Sequence, residues 1–184
     1  MAITPSTMVQ LGTSAAPFTL PDVTSGKEVS LESLKGKVAT VIMFICNHCP
    51  YVKHINSGMV QVANDYQAKG ISFIAISSND VKNYPDDGPE QMKLNAKQLG
   101  FSFPYLYDEL QDVARAYEAA CTPDFFVYDN NLKLVYRGQL DDSRPANSTP
   151  VTGKDLRNAL DALLEGKPIS DKQIPSIGCN IKWK

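Results

Sequence analysis

The sequence predicts an α/β protein in which a mixed β-sheet is flanked by helices on both faces, with a β-hairpin extension at the N-terminus. Three observations predict it. Apolar runs of strand length alternate with segments whose apolar residues recur at spacings of three and four. Two of those runs, Val38–Ile45 and Ile71–Ser77, show no regular polar alternation, as expected of strands covered on both faces. The last two runs are close enough to pair as an antiparallel hairpin, so the sheet is mixed and not wholly parallel. At 184 residues the chain is expected to form a single domain over 1–184, with an arm and hairpin at 1–37 and a tail at 167–184.

Within the arm, Ala16–Asp22 (APFTLPD) and Glu28–Leu31, joined by Ser25-Gly26, read as a hairpin that precedes the core. Val38–Ile45 (VATVIMFI) follows as an interior strand. Pro50 suits the first turn of a helix. Val52, Ile55, Met59, Val62 and Tyr66 give that helix an apolar stripe, and Gly70 stands where it should stop. Ile71–Ser77 is the second buried strand. The polar stretch Asn79–Pro89 (NDVKNYPDDGP) is a loop of a size that often carries function. After it, Met92, Ala96 and Leu99 mark a helix ended by Gly100, Phe103–Tyr107 a short strand, and Leu110, Val113, Ala114 and Tyr117 another helix. Phe125–Tyr128 and Leu132–Tyr136 flank Asp129-Asn130-Asn131, residues that tolerate positive φ, which predicts the hairpin. The final helix has Thr152 and Asp155 at capping-box-like spacing, an apolar face from Leu156 to Leu164, and Gly166 at its end.

Composition narrows the function. Eighteen basic and twenty acidic side chains leave a net charge of −2 with no basic cluster, which argues against nucleic acid as a partner. No apolar run approaches a membrane span, and the opening MAITPSTMVQLG has neither a basic nor an apolar leader segment. The expectation is a cytoplasmic protein with no membrane partner, where structural disulfides are rare and the four cysteines are available for chemistry.

Cys46-Asn47-His48-Cys49 carries that chemistry. Two thiols three positions apart, after a strand and at the head of a helix, can form a reversible disulfide. Unsatisfied N–H groups and the positive end of the helix dipole stabilise a thiolate there. The expectation places the thiolate on Cys46 as the exposed nucleophile, with Cys49 one turn into the helix as the buried resolving thiol and His48, when protonated, adding positive charge. A thiol of pKa near 8.5 is about 3% ionised at pH 7, whereas one lowered to about 6 is roughly 90% ionised, a difference of about 3.4 kcal/mol. Stabilising the dithiol in this way makes the pair more oxidising. No bound cofactor is needed, since the electrons reside in the sulfurs.

A CxxC at a strand-to-helix junction, with Thr122-Pro123 opening a later strand, resembles the thioredoxin superfamily and its thioredoxin-like fold. Ala16–Pro21, Leu31–Val38 (LESLKGKV), Cys46–Pro50, Ser78-Asn79-Asp80, Tyr84-Pro85, Cys121–Phe126 (CTPDFF) and Tyr136–Pro145 (YRGQLDDSRP) are similar to its peroxiredoxin-like branch of AhpC/TSA-type redoxins. The resemblance implies a cis peptide bond at Pro123 and a Thr122 backbone that offers itself to a substrate strand. It implies a thiol-disulfide oxidoreductase working on a protein or small-thiol partner through a reversible Cys46–Cys49 disulfide, or a thiol peroxidase with antioxidant activity. Typical peroxiredoxins carry a threonine where this chain has Met43 and an arginine near the place of Pro123, and thioredoxins a tryptophan in place of Ile45. His48 resembles the Cys-X-His-Cys centres of disulfide isomerases and periplasmic oxidases.

The remaining sulfurs have several readings. Cys121, two residues before Pro123, is either a small buried side chain or an accessory resolving thiol. Cys179, in the tail SIGCNIKWK, is either packed down with Ile177, Ile181 and Trp183 or free to resolve an oxidised cysteine. A copper-binding metallochaperone is a rival of another class, with Cys46, Cys49 and His54 as soft ligands; without a second CxxC, half of a zinc site is the other metal alternative, and the expectation is that no metal is held. Lys53, Tyr51 and the charged stretch Arg137, Asp141, Asp142 and Arg144 read as surface.

Overall fold

Prolines, glycines and the buried apolar runs decide where each element starts and stops. The computed structural model describes residues 3–184; Met1 and Ala2, the first residues of the expected arm, lie outside the described residues. In chain order the elements are β1 (Ile3–Pro5), β2 (Thr19–Asp22), β3 (Lys27–Ser30), α1 (Leu31–Leu34), β4 (Ala39–Phe44), α2 (Pro50–Gln67) and β5 (Ile71–Ser77). There follow a single 3₁₀ turn (Pro85–Asp87), α3 (Pro89–Leu99), β6 (Tyr105–Tyr107), α4 (Asp112–Ala116), β7 (Cys121–Thr122), β8 (Asp124–Asp129), β9 (Leu134–Gly138), α5 (Lys154–Leu164) and β10 (Ile177–Asn180).

Among the described residues, seven strands form one sheet in the order β3-β2-β6-β5-β4-β8-β9, and three form a second, β1-β10-β7. β4, β5 and β6 are parallel, while β8 and β9 return antiparallel, so the main sheet is mixed. β4, an interior strand between β5 and β8, is buried along its whole length. Alternate side chains serve opposite faces: Val41 and Met43 pack under α2, α3 and α5, and Ile42 and Phe44 under α4 and the N-terminal segment. The N-terminal hairpin does not merely precede the core. β2 pairs with β3 and, through Asp22 opposite Leu106, with β6, so it forms the sheet's edge.

Several local expectations are corrected. The left-handed residue of the β8–β9 turn is Leu132 (φ 57°), because Asp129 spends its side chain accepting the N–H groups of Asn131 and Lys133. No capping box opens α5. Its N-cap is Gly153 in the left-handed region, and Leu140 O accepts the Asp155 and Leu156 N–H groups. Leu110 lies outside α4 and is 71% exposed. The charged stretch read as surface is so only in part: Asp142 is exposed and Arg144 half-buried, but Arg137, within β9, and Asp141 are buried, with Asp141 Oδ2 accepting the N–H groups of Thr152 and Gly153. In the tail Cys179 and Ile181 pack down as one reading had it, but Ile177 and Trp183 remain partly exposed.

Candidate functional site

Proline at position 50 sets the geometry of the two thiols. It occupies the first helical position of α2, where its missing N–H costs nothing, so Cys49 becomes the N-cap. Cys46 therefore lies three residues before the cap, in the loop leaving β4. Both are buried, Cys46 at 1% and Cys49 at 0% exposure, so the expected exposed nucleophile is not exposed.

The structure also moves the charge. The Cys46 thiol donates to the Cys49 sulfur, and this bond, burial and the nearby Asp87 carboxylate all push Cys46 well above the usual thiol range. Cys49 is brought down to about 5, first by the Cys46 hydrogen bond and, against the opposing cost of burial, by the Cys179 thiol and the backbone N–H groups of Val52 and Cys179. The Thr122 carbonyl, 3.2 Å from Cys49 Sγ, favours the protonated form, but four donors and the helix terminus outweigh one acceptor. These donors, the Cys46 thiol first and the Cys179 thiol and the two backbone N–H groups after it, favour the thiolate on Cys49 and not on Cys46, where it was expected.

His48 does not act as an isolated positive charge. Its Nδ1 lies 2.6 Å from Asp87 Oδ2 and donates to it. Asp87 is fully buried in the 3₁₀ turn and also accepts the N–H groups of Asn47 (2.8 Å) and His48 (3.2 Å) and the Asn79 amide (2.8 Å). Tyr84 stacks on the imidazole with ring centroids 5.2 Å apart. Asn47 completes the clasp, donating to Asp86 O and accepting from Asn95 and Tyr105. The sequence marks the 79–89 loop as functional but carries no signal that Asp87 is the residue that fastens it to the CxxC.

Thr122 and Pro123 meet the sulfurs. The Thr122–Pro123 peptide bond is cis, and Thr122 Oγ1 lies 3.4 Å from Cys46 Sγ. The backbone edge of Thr122 is not free for a substrate strand, however. The chain's own β10 pairs with it, Cys179 opposite Thr122 and Asn180 opposite Cys121. This close approach requires Gly178, where a Cβ would fall 2.0 Å from the Thr122 carbonyl oxygen. Cys179 Sγ is thereby set 2.6 Å from Cys49 Sγ. Cys121 turns away, with its sulfur on Pro123 O (3.7 Å), and burial beside Asp124 pushes its thiol far up.

The metal reading finds different donors. His54 Nε2 is engaged by Ser143 Oγ (2.7 Å), whereas Cys46, His48 and Asp87 place ligand atoms within 4.8 Å of one another. A metal there would have to displace the His48–Asp87 hydrogen bond. Among the described residues no helix is long and apolar enough to cross a membrane.

These donors fix an expected titration. Because the folded pKa of Cys49 lies below its unfolded value, its contribution to the stability of the reduced protein is fully present above about pH 9 and is lost as pH falls through about 5. Thiolate absorbance at 240 nm should show one of the four thiols ionising with a midpoint near 5, and Cys46→Ala should move that midpoint upward. A midpoint in the ordinary thiol range in the reduced native protein would refute the assignment.

A family model described as the AhpC/TSA family matches residues 11–137, well over half of the chain. The chain is 26% identical over 131 residues to the thiol-disulfide oxidoreductase ResA of Geobacillus thermodenitrificans (strain NG80-2), covering 71% of this chain and 70% of that one. Its structure is similar to that of an uncharacterized conserved protein from Geobacillus kaustophilus, at 61% identity and a TM-score of 0.98, over 100% of this chain and 97% of the other. It shares the thioredoxin-like fold of the peroxidoxin BcpB from Mycobacterium tuberculosis, at a TM-score of 0.64 and 20% identity over 86% of this chain and 98% of that one.

Proposed function

Because the chain belongs to the AhpC/TSA family, we propose that it is a redox enzyme that exchanges disulfides with a protein or small-thiol partner through a reversible Cys46–Cys49 bond. The observation that carries this reading is the placement of two thiols at the head of α2, with Cys49 at the N-cap and both sulfurs gathered on Thr122, Cys46 Sγ 3.4 Å from its Oγ1 and Cys49 Sγ 3.2 Å from its carbonyl oxygen, beside the cis bond to Pro123. As Cys46 attacks a partner disulfide, it gives its proton to the Cys49 thiolate, and the partner's leaving sulfur departs with the electron pair. Cys49 then gives up that proton and attacks the Cys46 sulfur of the mixed disulfide. The second partner thiol leaves and the Cys46–Cys49 bond closes. His48 and Asp87 hold the loop that carries Cys46, and the Cys49 sulfur, burial and, after them, the Asp87 charge keep Cys46 protonated until it reacts. The similarity to ResA over most of both chains supports the same class of chemistry.

Two features shape the partner. Both sulfurs are shut from solvent, so exchange proceeds through local opening. The Thr122 edge is occupied by β10, so an extended protein partner must displace that strand, whereas a small disulfide need not.

A second reading, a thiol peroxidase, is favoured by the Thr122 hydroxyl against Cys46, a polar group beside the sulfur where Met43 offers none. Cys46 would attack one peroxide oxygen and become a sulfenic acid as the O–O bond breaks and the other oxygen leaves as water, and Cys49 would condense with it to form the disulfide, releasing a further water. Steady-state turnover of hydrogen peroxide, a small aromatic disulfide and insulin by the same preparation decides between them. We expect the small disulfide to be turned over at least about tenfold faster than peroxide. Peroxide consumption exceeding both disulfide rates would overturn the first reading in favour of the second.

A further inference from the structure

A third sulfur, from the tail, meets the CxxC at Cys49. Cys179 Sγ lies 2.6 Å from Cys49 Sγ, against ~2.05 Å for a formed S–S bond. It is also closer than the ~3.5–4.0 Å at which unbonded carbon atoms settle, although sulfur is the larger atom.

The tail is held so as to maintain it. β10 is hydrogen-bonded between β1 and β7, with Cys179 facing Ile3 on one side and Thr122 on the other. Before Cys179, Ser176 Oγ donates to Gly138 O (2.7 Å). After it, the Lys182 N–H donates to Asn79 Oδ1 (2.8 Å), and the Gln111 amide donates to Lys182 O (2.8 Å). Gly178 lets the strand lie directly against the Thr122 carbonyl. Anchors on both sides of one buried cysteine fix its sulfur against the CxxC.

We propose that Cys49 is the shared centre of two alternative disulfides, one with Cys46 and one with Cys179, making Cys179 a third redox-active thiol of this protein. The proposal rests on the oxidoreductase reading above and extends it. Starting from the Cys46–Cys49 disulfide, the Cys179 sulfur attacks Cys49; the Cys49–Cys179 bond forms as the Cys46–Cys49 bond breaks, and the electron pair leaves on Cys46. The proton lost by Cys179 ends on Cys46, so no outside oxidant or reductant is consumed. Burial and the adjacent Cys49 hold the Cys179 thiol up at about 12 in the reduced protein. Once Cys49 is in a disulfide it carries no charge, and that part of the barrier to ionising Cys179 disappears. The product keeps the oxidising equivalent inside the molecule while returning Cys46 to the thiol state.

Thiol counting with peptide mapping tests this on the full chain. Wild type, Cys46→Ser and Cys179→Ser are equilibrated in glutathione buffers of stepped potential, quenched in acid, alkylated and digested with trypsin. A Cys49–Cys179 bond links the peptide 38–53 to the peptide 173–182, whereas a Cys46–Cys49 bond lies within the first. Of the four cysteines, Cys46→Ser retains three; it should form the linked pair and fall from three free thiols to one. Cys179→Ser should form the internal bond alone, and wild type should populate both. Three free thiols in Cys46→Ser at potentials that oxidise wild type, or glutathione adducts without the linkage, would overturn the proposal. If near-ultraviolet circular dichroism shows that Cys46→Ser is not native, wild type decides, and absence of the 38–53 to 173–182 linkage overturns it. Failure of the underlying reading looks different: neither wild type nor Cys179→Ser would then form the Cys46–Cys49 bond.

Discussion

Serine in place of Cys46 is expected to lower the disulfide-exchange rate by about a thousandfold or more, because an alcohol cannot form the mixed disulfide on which turnover depends. Serine in place of Cys49 should fail differently. Cys46 can still attack, though more slowly without the neighbouring thiolate to take its proton, and nothing then resolves the adduct. The variant should therefore accumulate a stable mixed disulfide, read as a mass increase equal to the partner thiol and reversed by dithiothreitol. Cys179 is not expected to rescue it, since its sulfur is set against position 49 and not against Cys46. A Cys46→Ser protein that retains its rate, or a Cys49→Ser protein that turns over without trapping, would end the assignment of attacking and resolving roles.

The contrast between these variants bears on what the sequence revealed. The CxxC, the buried strand before it and the amphipathic helix after it were legible because each is a local pattern, and α2 begins at Pro50 as that proline implies. The same proline contained the correction: with Pro50 at the first helical position, Cys49 caps the helix, so the dipole argument applies to Cys49 and not to Cys46. Asp87 was not legible, because its role comes from a loop folding back across 40 and 39 positions onto Asn47 and His48. Nor was the β10–β7 pairing, in which residues more than fifty positions apart share hydrogen bonds that leave no periodicity in either segment. The Leu132 turn and the Gly153 cap show the same limit on a smaller scale. Asp129 and Thr152, side chains that favour a turn or a cap, are spent on the N–H groups of Asn131 and Lys154, and the left-handed conformation falls to Leu132 and Gly153 instead.

Arg137→Leu should produce the largest loss of stability, about 3–5 kcal/mol near pH 8, because it strands a buried carboxylate directly after Pro123. The guanidinium is wholly buried. It donates to Asp124 Oδ2 (3.1 Å) and to Glu118 O (2.7 Å), and it lies over the Phe126 ring at 4.3 Å. Burial raises the Asp124 carboxyl to about 6, even with Arg137 pulling the other way. The sign follows from that shift. A carboxyl whose folded pKa exceeds its unfolded value favours folding most when protonated, and the contribution is lost as pH rises from about 4 through about 6. Removing Arg137 raises the folded pKa further, so protonation relieves the variant over a wider range of pH. Urea unfolding should therefore show a larger deficit at pH 8 than at pH 5, and Asp124→Asn combined with Arg137→Leu should recover part of it. Equal deficits at both pH values would mean that the arginine contributes through packing on Phe126 and its carbonyl hydrogen bonds, not through charge. Thr122, Pro123 and Asp124 are consecutive, so loosening the ion pair also loosens the turn that sets Thr122 against both sulfurs. The same substitution should accordingly speed alkylation of Cys46 and Cys49 in the native state before it measurably unfolds the protein.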